Sequence, residues 1–184
     1  MGWVMPHFVD VSWAEIILMA AIGLVIGSFV NVLIHRLPQM ILTADESSPV
    51  SFNLSTPRSH CPHCRHTLSW YELIPVLSFV GCFGRCKHCN EAISFRYPGV
   101  EILTAVLFCM SLLKFGFGYS ALLGGFFCAV LLALAWIDAE TFLLPDVLTQ
   151  ALLWAGLIGS AMSLTPTPLM HSLSGAVLGY GLLW

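Results

Sequence analysis

Residues 14–35 (AEIILMAAIGLVIGSFVNVLIH) run for 22 positions with Glu15 as the only charged side chain. That length of apolar sequence constrains the fold more than any other feature. A bilayer's hydrocarbon core is about 30 Å thick and takes about 20 helical residues to cross. Four more runs of this kind follow, at 99–117, 120–137, 147–164 and from about 169 onward, the last still apolar at Trp184. Gly-, Pro- and Ser-containing turns separate them: GFGYS at 116–120, FLLPD at 142–146 and TPTP at 165–168. An early apolar run can also be a secretory signal. Here no Lys or Arg precedes it and GSFVN, not a small-residue cleavage site, lies within it, so it reads as a retained span.

Composition agrees. Hydrophobic residues make up 58% of the 184 and charged residues only 9%, with a mean hydropathy of +0.86; a soluble domain carries roughly 25% charged residues. A water-soluble globule and a disordered tail are excluded, and the net charge of −3 excludes a basic nucleic-acid surface. Since lipid offers no hydrogen bonds and no barrel pattern is visible, the expectation is an all-α polytopic membrane protein of about five transmembrane helices.

Charge placement sets the expected topology. Six of the seven cations lie between Arg36 and Arg96, and Lys114 is the last. The positive-inside rule therefore places residues 36–98 in the cytoplasm and the N-terminus outside. Threading the later spans puts the 138–146 segment on the same cytoplasmic side. The 70 residues after Lys114 carry only three charged side chains, Asp138, Glu140 and Asp146.

Within the basic loop, Cys61-Pro-His-Cys64 and Cys86-Lys-His-Cys89 form C-x2-C…C-x2-C with 21 residues between the pairs. Four thiolates at that spacing suit a structural, tetrahedral Zn²⁺, closed to water and substrate. Disulfides are the alternative, disfavoured by a reducing cytoplasm. Arg65 and Lys87 offset the charge of a zinc tetrathiolate. His60, His63, His66 and His88 are read as solvated neighbours, Cys82 as a spare, and Cys109 and Cys128 as small hydrophobes within spans. The intervening 70–79 segment (WYELIPVLSF) is strongly apolar and is expected to pack back on the bilayer surface or the helix bundle, with Trp70 and Tyr71 at the interface.

The three late carboxylates read differently from one another. Asp146 follows Pro145 and is expected to cap the next helix, and Glu140 is expected in a solvated loop. Asp138, directly after an apolar span, has no structural task and is a functional candidate by default. Aspartic proteolysis needs two carboxyls sharing a site, one ionised to activate water and one protonated to polarise the carbonyl. One such residue permits that chemistry without establishing it.

Four segments together resemble the type IV prepilin peptidase family. They are Gly27 to Pro38 (GSFVNVLIHRLP), the paired-cysteine loop with Trp70, Ile74, Pro75, Arg96, Tyr97, Pro98 and Glu101, the stretch from Ile137 through Asp138 to Asp146, and Gly175 to Tyr180 (GAVLGY). The resemblance spans essentially the whole chain. It implies an inner-membrane aspartic endopeptidase that removes the basic leader of prepilins and pseudopilins at the cytoplasmic face, then methylates the new N-terminus with S-adenosylmethionine. Asp138 maps to the first catalytic aspartate, and Cys61, Cys64, Cys86 and Cys89 to a zinc-binding insertion. Residues 14–98 correspond to the N-terminal region and 99–184 to part of the peptidase region. The family's second aspartate sits in a GxGD motif that this sequence lacks, so the expectation is a chain truncated before its second catalytic residue and inactive alone. The alternative is a noncatalytic, zinc-stabilised membrane module that binds pilin-like helices or partner subunits. No soluble Rossmann-type glycine loop marks an S-adenosylmethionine site.

Overall fold

The computed structural model describes residues 11–42, 53–56, 58–61 and 63–183. The order is α1 (Trp13–Leu42), a short 3-10 turn (Trp70–Leu73), α2 (Leu77–Gly81), α3 (Arg96–Phe115), α4 (Tyr119–Thr141), α5 (Asp146–Ala161) and α6 (Leu169–Leu183). The N-terminal segment expected outside, residues 43–52 of the basic loop and Trp184 fall outside the described residues.

Ser12 and Glu15 start α1 with a capping box: the Ser12 amide donates to Glu15 Oε2 at 2.8 Å, and the Glu15 amide to Ser12 Oγ at 3.4 Å. The helix then runs 30 residues, roughly 45 Å at 1.5 Å per residue. It overshoots a bilayer core and carries Arg36 past the expected end of the span. Gly23 and Gly27 bring its backbone against α3. An added Cβ at Gly23 would stand 2.5 Å from Ala105 Cα, and one at Gly27 would stand 2.7 Å from Glu101 Cα. Small residues four apart permit this approach in membranes, where close packing replaces the hydrophobic drive.

α4 completes the bundle. The Ser111 hydroxyl donates to Ala121 O at 2.8 Å, and the Phe108 ring lies against Gly125, where a Cβ would come within 2.6 Å of it. Met19, Val100, Phe108, Leu112 and Ile137 fill the core between the three helices. α4 ends at Phe142, whose φ of 55° is left-handed and whose amide donates to Asp138 O at 2.9 Å.

Among the described residues three helices, α1, α3 and α4, are long and apolar enough to cross a membrane, against the five expected. α5 and α6 have 16 and 15 residues, roughly 24 and 22 Å of helix. α5 starts at Asp146, and the turn at Met162–Ser163 ends it at Ala161, so the run at 147–164 is not one helix throughout. α5 packs on α4 and α6, while none of the described side chains of α6 is buried.

Candidate functional site: a four-cysteine cluster and the acidic end of α4

The two cysteine pairs fold as copies of one turn. In the first, the Cys61 amide donates to His66 O and the Arg65 amide to Cys61 O, both at 2.9 Å; in the second, Cys86 and Asn90 make the matching bonds to Glu91 O and Cys86 O, also at 2.9 Å. The residue after each second cysteine takes a positive φ, 56° at Arg65 and 60° at Asn90. This left-handed step reverses the chain, so that both sulfurs of a pair face one point. Short bridges at His60–Thr67 and Arg85–Ala92 close the turns.

All four Sγ atoms lie within 4.8 Å of one another. Cys61 and Cys89 are separated by 3.8 Å, and Cys64 and Cys86 by 4.0 Å. Tetrahedral Zn–S bonds of about 2.3 Å place sulfurs about 3.8 Å apart, so the donor set fits that ion. The separations are those of free thiols, not disulfides. The histidines stand beside the cluster: the His66 and His88 rings stack at 3.6 Å. Lys87, expected to offset thiolate charge, places its ammonium 5.0 Å over the Tyr71 ring.

The thiols are unequal. Backbone amides of Cys89 and then His88 hold Cys86 down at about 6, a ready thiolate at neutral pH. At Cys89 the Glu91 amide favours the thiolate too. Desolvation and the neighbouring sulfurs of Cys86, Cys61 and Cys64 outweigh it and push the group up to about 12.

Asp138 projects from the last turn of α4 and is exposed. Glu140 is not a solvated loop residue. It lies within α4, where Arg96 Nη1 donates to both its carboxylate oxygens at 2.7 and 3.0 Å and Trp136 Nε1 donates to Oε1 at 2.9 Å. The ion-pair partner missing from the C-terminal sequence thus comes from the first residue of α3. Because Arg96 directly follows the cysteine loop, this pair puts Asp138 at the loop end of the bundle. Asp146 is the first residue of α5, with Pro145 at the N-cap and no capping side chain. Its charge still favours a helix start. The cysteines come together, and Asp138 stands apart from them.

Three polar residues of the resembling motifs had no role assigned from sequence. Glu101, buried within α3, accepts the Val76 amide at 2.7 Å. Val76 holds a φ of 58°, costly for a β-branched residue. Asn31 Nδ2 donates to Tyr97 O at 3.0 Å, with its Oδ1 buried and unpartnered. Arg36 Nη1 donates to Asn53 O at 2.9 Å. Arg36 and Glu101 bind the loop to α1 and α3, and Asn31 joins α1 to the first turn of α3. The available signal was a polar residue inside an otherwise apolar span.

Comparison with known proteins places this arrangement. Residues 21–115 match the bacterial peptidase A24 N-terminal domain, and residues 125–184 match the type IV leader peptidase family. The chain is 44% identical over 162 residues to a prepilin leader peptidase/N-methyltransferase of Klebsiella pneumoniae, covering 88% of this chain and 68% of that protein. The chain belongs to the type IV leader peptidase family. The protein of the same name from Burkholderia pseudomallei (strain 1026b) is 43% identical over 177 residues, covering 89% of this chain and 57% of its own length. That of Neisseria gonorrhoeae is 40% identical over 182 residues, with 91% and 63% covered. The chain therefore spans 57% of the length of that Burkholderia relative and 63% of the Neisseria one. No solved structure matches it.

Proposed function

We propose that the chain is the N-terminal and central portion of a membrane aspartic endopeptidase that cuts leaders from type IV prepilins and pseudopilins at the cytoplasmic face and N-methylates the product. The observation that carries this reading is Asp138. It is the exposed carboxylate at the end of a membrane-length helix, beside a Glu140 already occupied by Arg96 and Trp136. An ionised Asp138 would take a proton from water as that water attacks the scissile carbonyl. A second, protonated carboxyl would polarise the carbonyl oxygen. Family resemblance places that second group in a GxGD motif beyond the residues described, and neither Glu140 nor Asp146 replaces it. The leader's cations would meet the acidic end of α4, and the apolar N-terminal helix of the substrate would lie in the membrane.

Cys61, Cys64, Cys86 and Cys89 would hold Zn²⁺ as a structural crosslink, supplying order to the loop and no open ligand position. S-adenosylmethionine would be the methyl donor; no residue is assigned to it. The setting is the bacterial inner membrane with residues 36–98 cytoplasmic, supported by the clustering of cations there. α5 and α6 would complete five spans in contact with lipid. No nucleic acid takes part.

The test is prepilin processing by a peptidase carrying this region at the family's full length. Asp138→Asn is expected to cut cleavage by about 10³-fold, the range of a lost acid–base group, with membrane abundance unchanged. Normal cleavage by that variant refutes the assignment. Capture of prepilin without turnover by the unaltered protein would favour the noncatalytic binding module instead.

A further inference from the structure

The segment between the cysteine pairs carries apolar side chains that nothing among the described residues covers. Leu77 and Val80, one turn apart on α2, are 70% and 63% exposed, and Phe83 just beyond the helix is 91% exposed. Phe83 is held in place despite a φ of 51°, because its amide donates to Val80 O at 3.1 Å and the next amide, of Gly84, donates to Phe79 O at 2.9 Å. A Cβ on Gly84 would meet the Phe79 ring at 2.9 Å, so that ring is seated on bare backbone.

What α2 touches indicates its partner. The Phe79 ring lies 5.3 Å from that of Phe95, the residue immediately before α3, already in helical dihedrals. Phe95, Ile102, Val106 and Leu113 are all exposed, and their spacings of seven, four and seven put them on one face of a 3.6-residue helix. On a membrane-length helix such a face meets lipid. Phe95 is the end of that stripe, and α2 is joined to it through Phe79. Arg85 and Lys87, both exposed, lie two and four positions after Phe83. Cations beside an apolar insertion are the pattern of an interfacial anchor on anionic lipid.

We propose that α2 and Phe83 form a membrane foot: Leu77, Val80 and Phe83 enter the headgroup–acyl boundary and hold the cysteine cluster at the bilayer surface. This rests on the reading of α3 as a membrane span. The buried Glu101, accepting the Val76 amide at the start of α2, ties the foot to α3, so its depth is set by the bundle.

The test places a benzoylphenylalanine photo-crosslinker at Phe83, at Val80 or at Ile102, one at a time, in the 184-residue chain in phosphatidylethanolamine–phosphatidylglycerol vesicles. Mass spectrometry then reads the adducts. Lipid adducts at 83 and 80 with a yield comparable to that at Ile102 are expected. Adding Leu77→Asp is expected to lower the yield at 83 roughly tenfold, the partition lost with one buried leucine. Adducts at 83 and 80 confined to protein, whether a second copy or another segment, overturn the foot, as does an absence of adducts there while Ile102 labels lipid. Failure at Ile102 itself overturns the membrane reading of α3, and the foot with it.

Discussion

α1 and α6 carry the same local motif and use it differently. Each has two glycines four residues apart, Gly23 and Gly27 in α1, Gly175 and Gly179 in α6. In α1 a Cβ at either position would run into the backbone of α3, whereas in α6 it would meet nothing within 4 Å. A small-residue pair is a permission for close packing, and becomes a contact only where another helix is brought alongside. α3 follows the cysteine loop, which is tied to α1 through Arg36 and to α3 through Glu101, and Asn31 joins the first turn of α3 to α1 directly. α6 has a four-residue TPTP turn and a short α5 for a neighbour.

The largest expected effect on this contrast comes from the metal. Structural zinc contributes roughly 10–16 kcal/mol to small domains that depend on it. Chelation, or Cys61→Ser, is therefore expected to abolish binding of about one zinc per chain, measured by metal analysis, and to unfold the loop while α5 and α6 keep their helicity. Retention of full zinc by the variant would remove the cluster from the account. The metal-free loop has its own pH dependence. Cys86, lowered to about 6 from an ordinary 9, loses stabilisation as pH falls from 9 through 6; Cys89, raised to about 12, loses it as pH rises from 9 through 12. Protection of the loop thiols from alkylation, corrected for thiolate reactivity, is expected to peak near pH 9.

Next come the glycines. Gly23→Leu forces α1 off the Ala105 backbone and is expected to cost about 3 kcal/mol, the upper range for overpacking. Gly179→Leu is expected to change stability by less than about 0.5 kcal/mol. Denaturant unfolding in detergent micelles measures both, and equal costs would erase the distinction between the helices. Glu101→Ala leaves the Val76 amide unpartnered and is expected to cost about 1–3 kcal/mol, with faster amide exchange at 76–81 and none of that effect in α5. Glu140→Gln is milder than Glu101→Ala. With both partners of its pair partly exposed, about 0.5 kcal/mol is expected, read from a double-mutant cycle with Arg96→Gln.

How far the fold was legible in sequence follows from the range of each interaction. The long apolar runs of α1, α3 and α4 and the two C-x2-C turns depend on neighbours in the chain, and the structure contains both. The apolar run at 147–164 outlasts α5, which stops at Ala161, because hydropathy averages over a window while a helix end is set by single residues such as Ser163. Glu140 was misread for another reason: its partner Arg96 is 44 positions away, beyond any local pattern. Glu101 and Asn31 were visible as polar intrusions, but what they bind is backbone, which has no signature in sequence.

By itself, then, the sequence determined a helical membrane chain with a four-thiol site and an aspartate at a span's end, because hydropathy and ligand spacing are local properties. Only the tertiary structure decided which glycine pair packs, which acid is paired and which is left exposed. Those outcomes depend on two distant segments meeting at one end of the bundle, and the energy of meeting belongs to the pair.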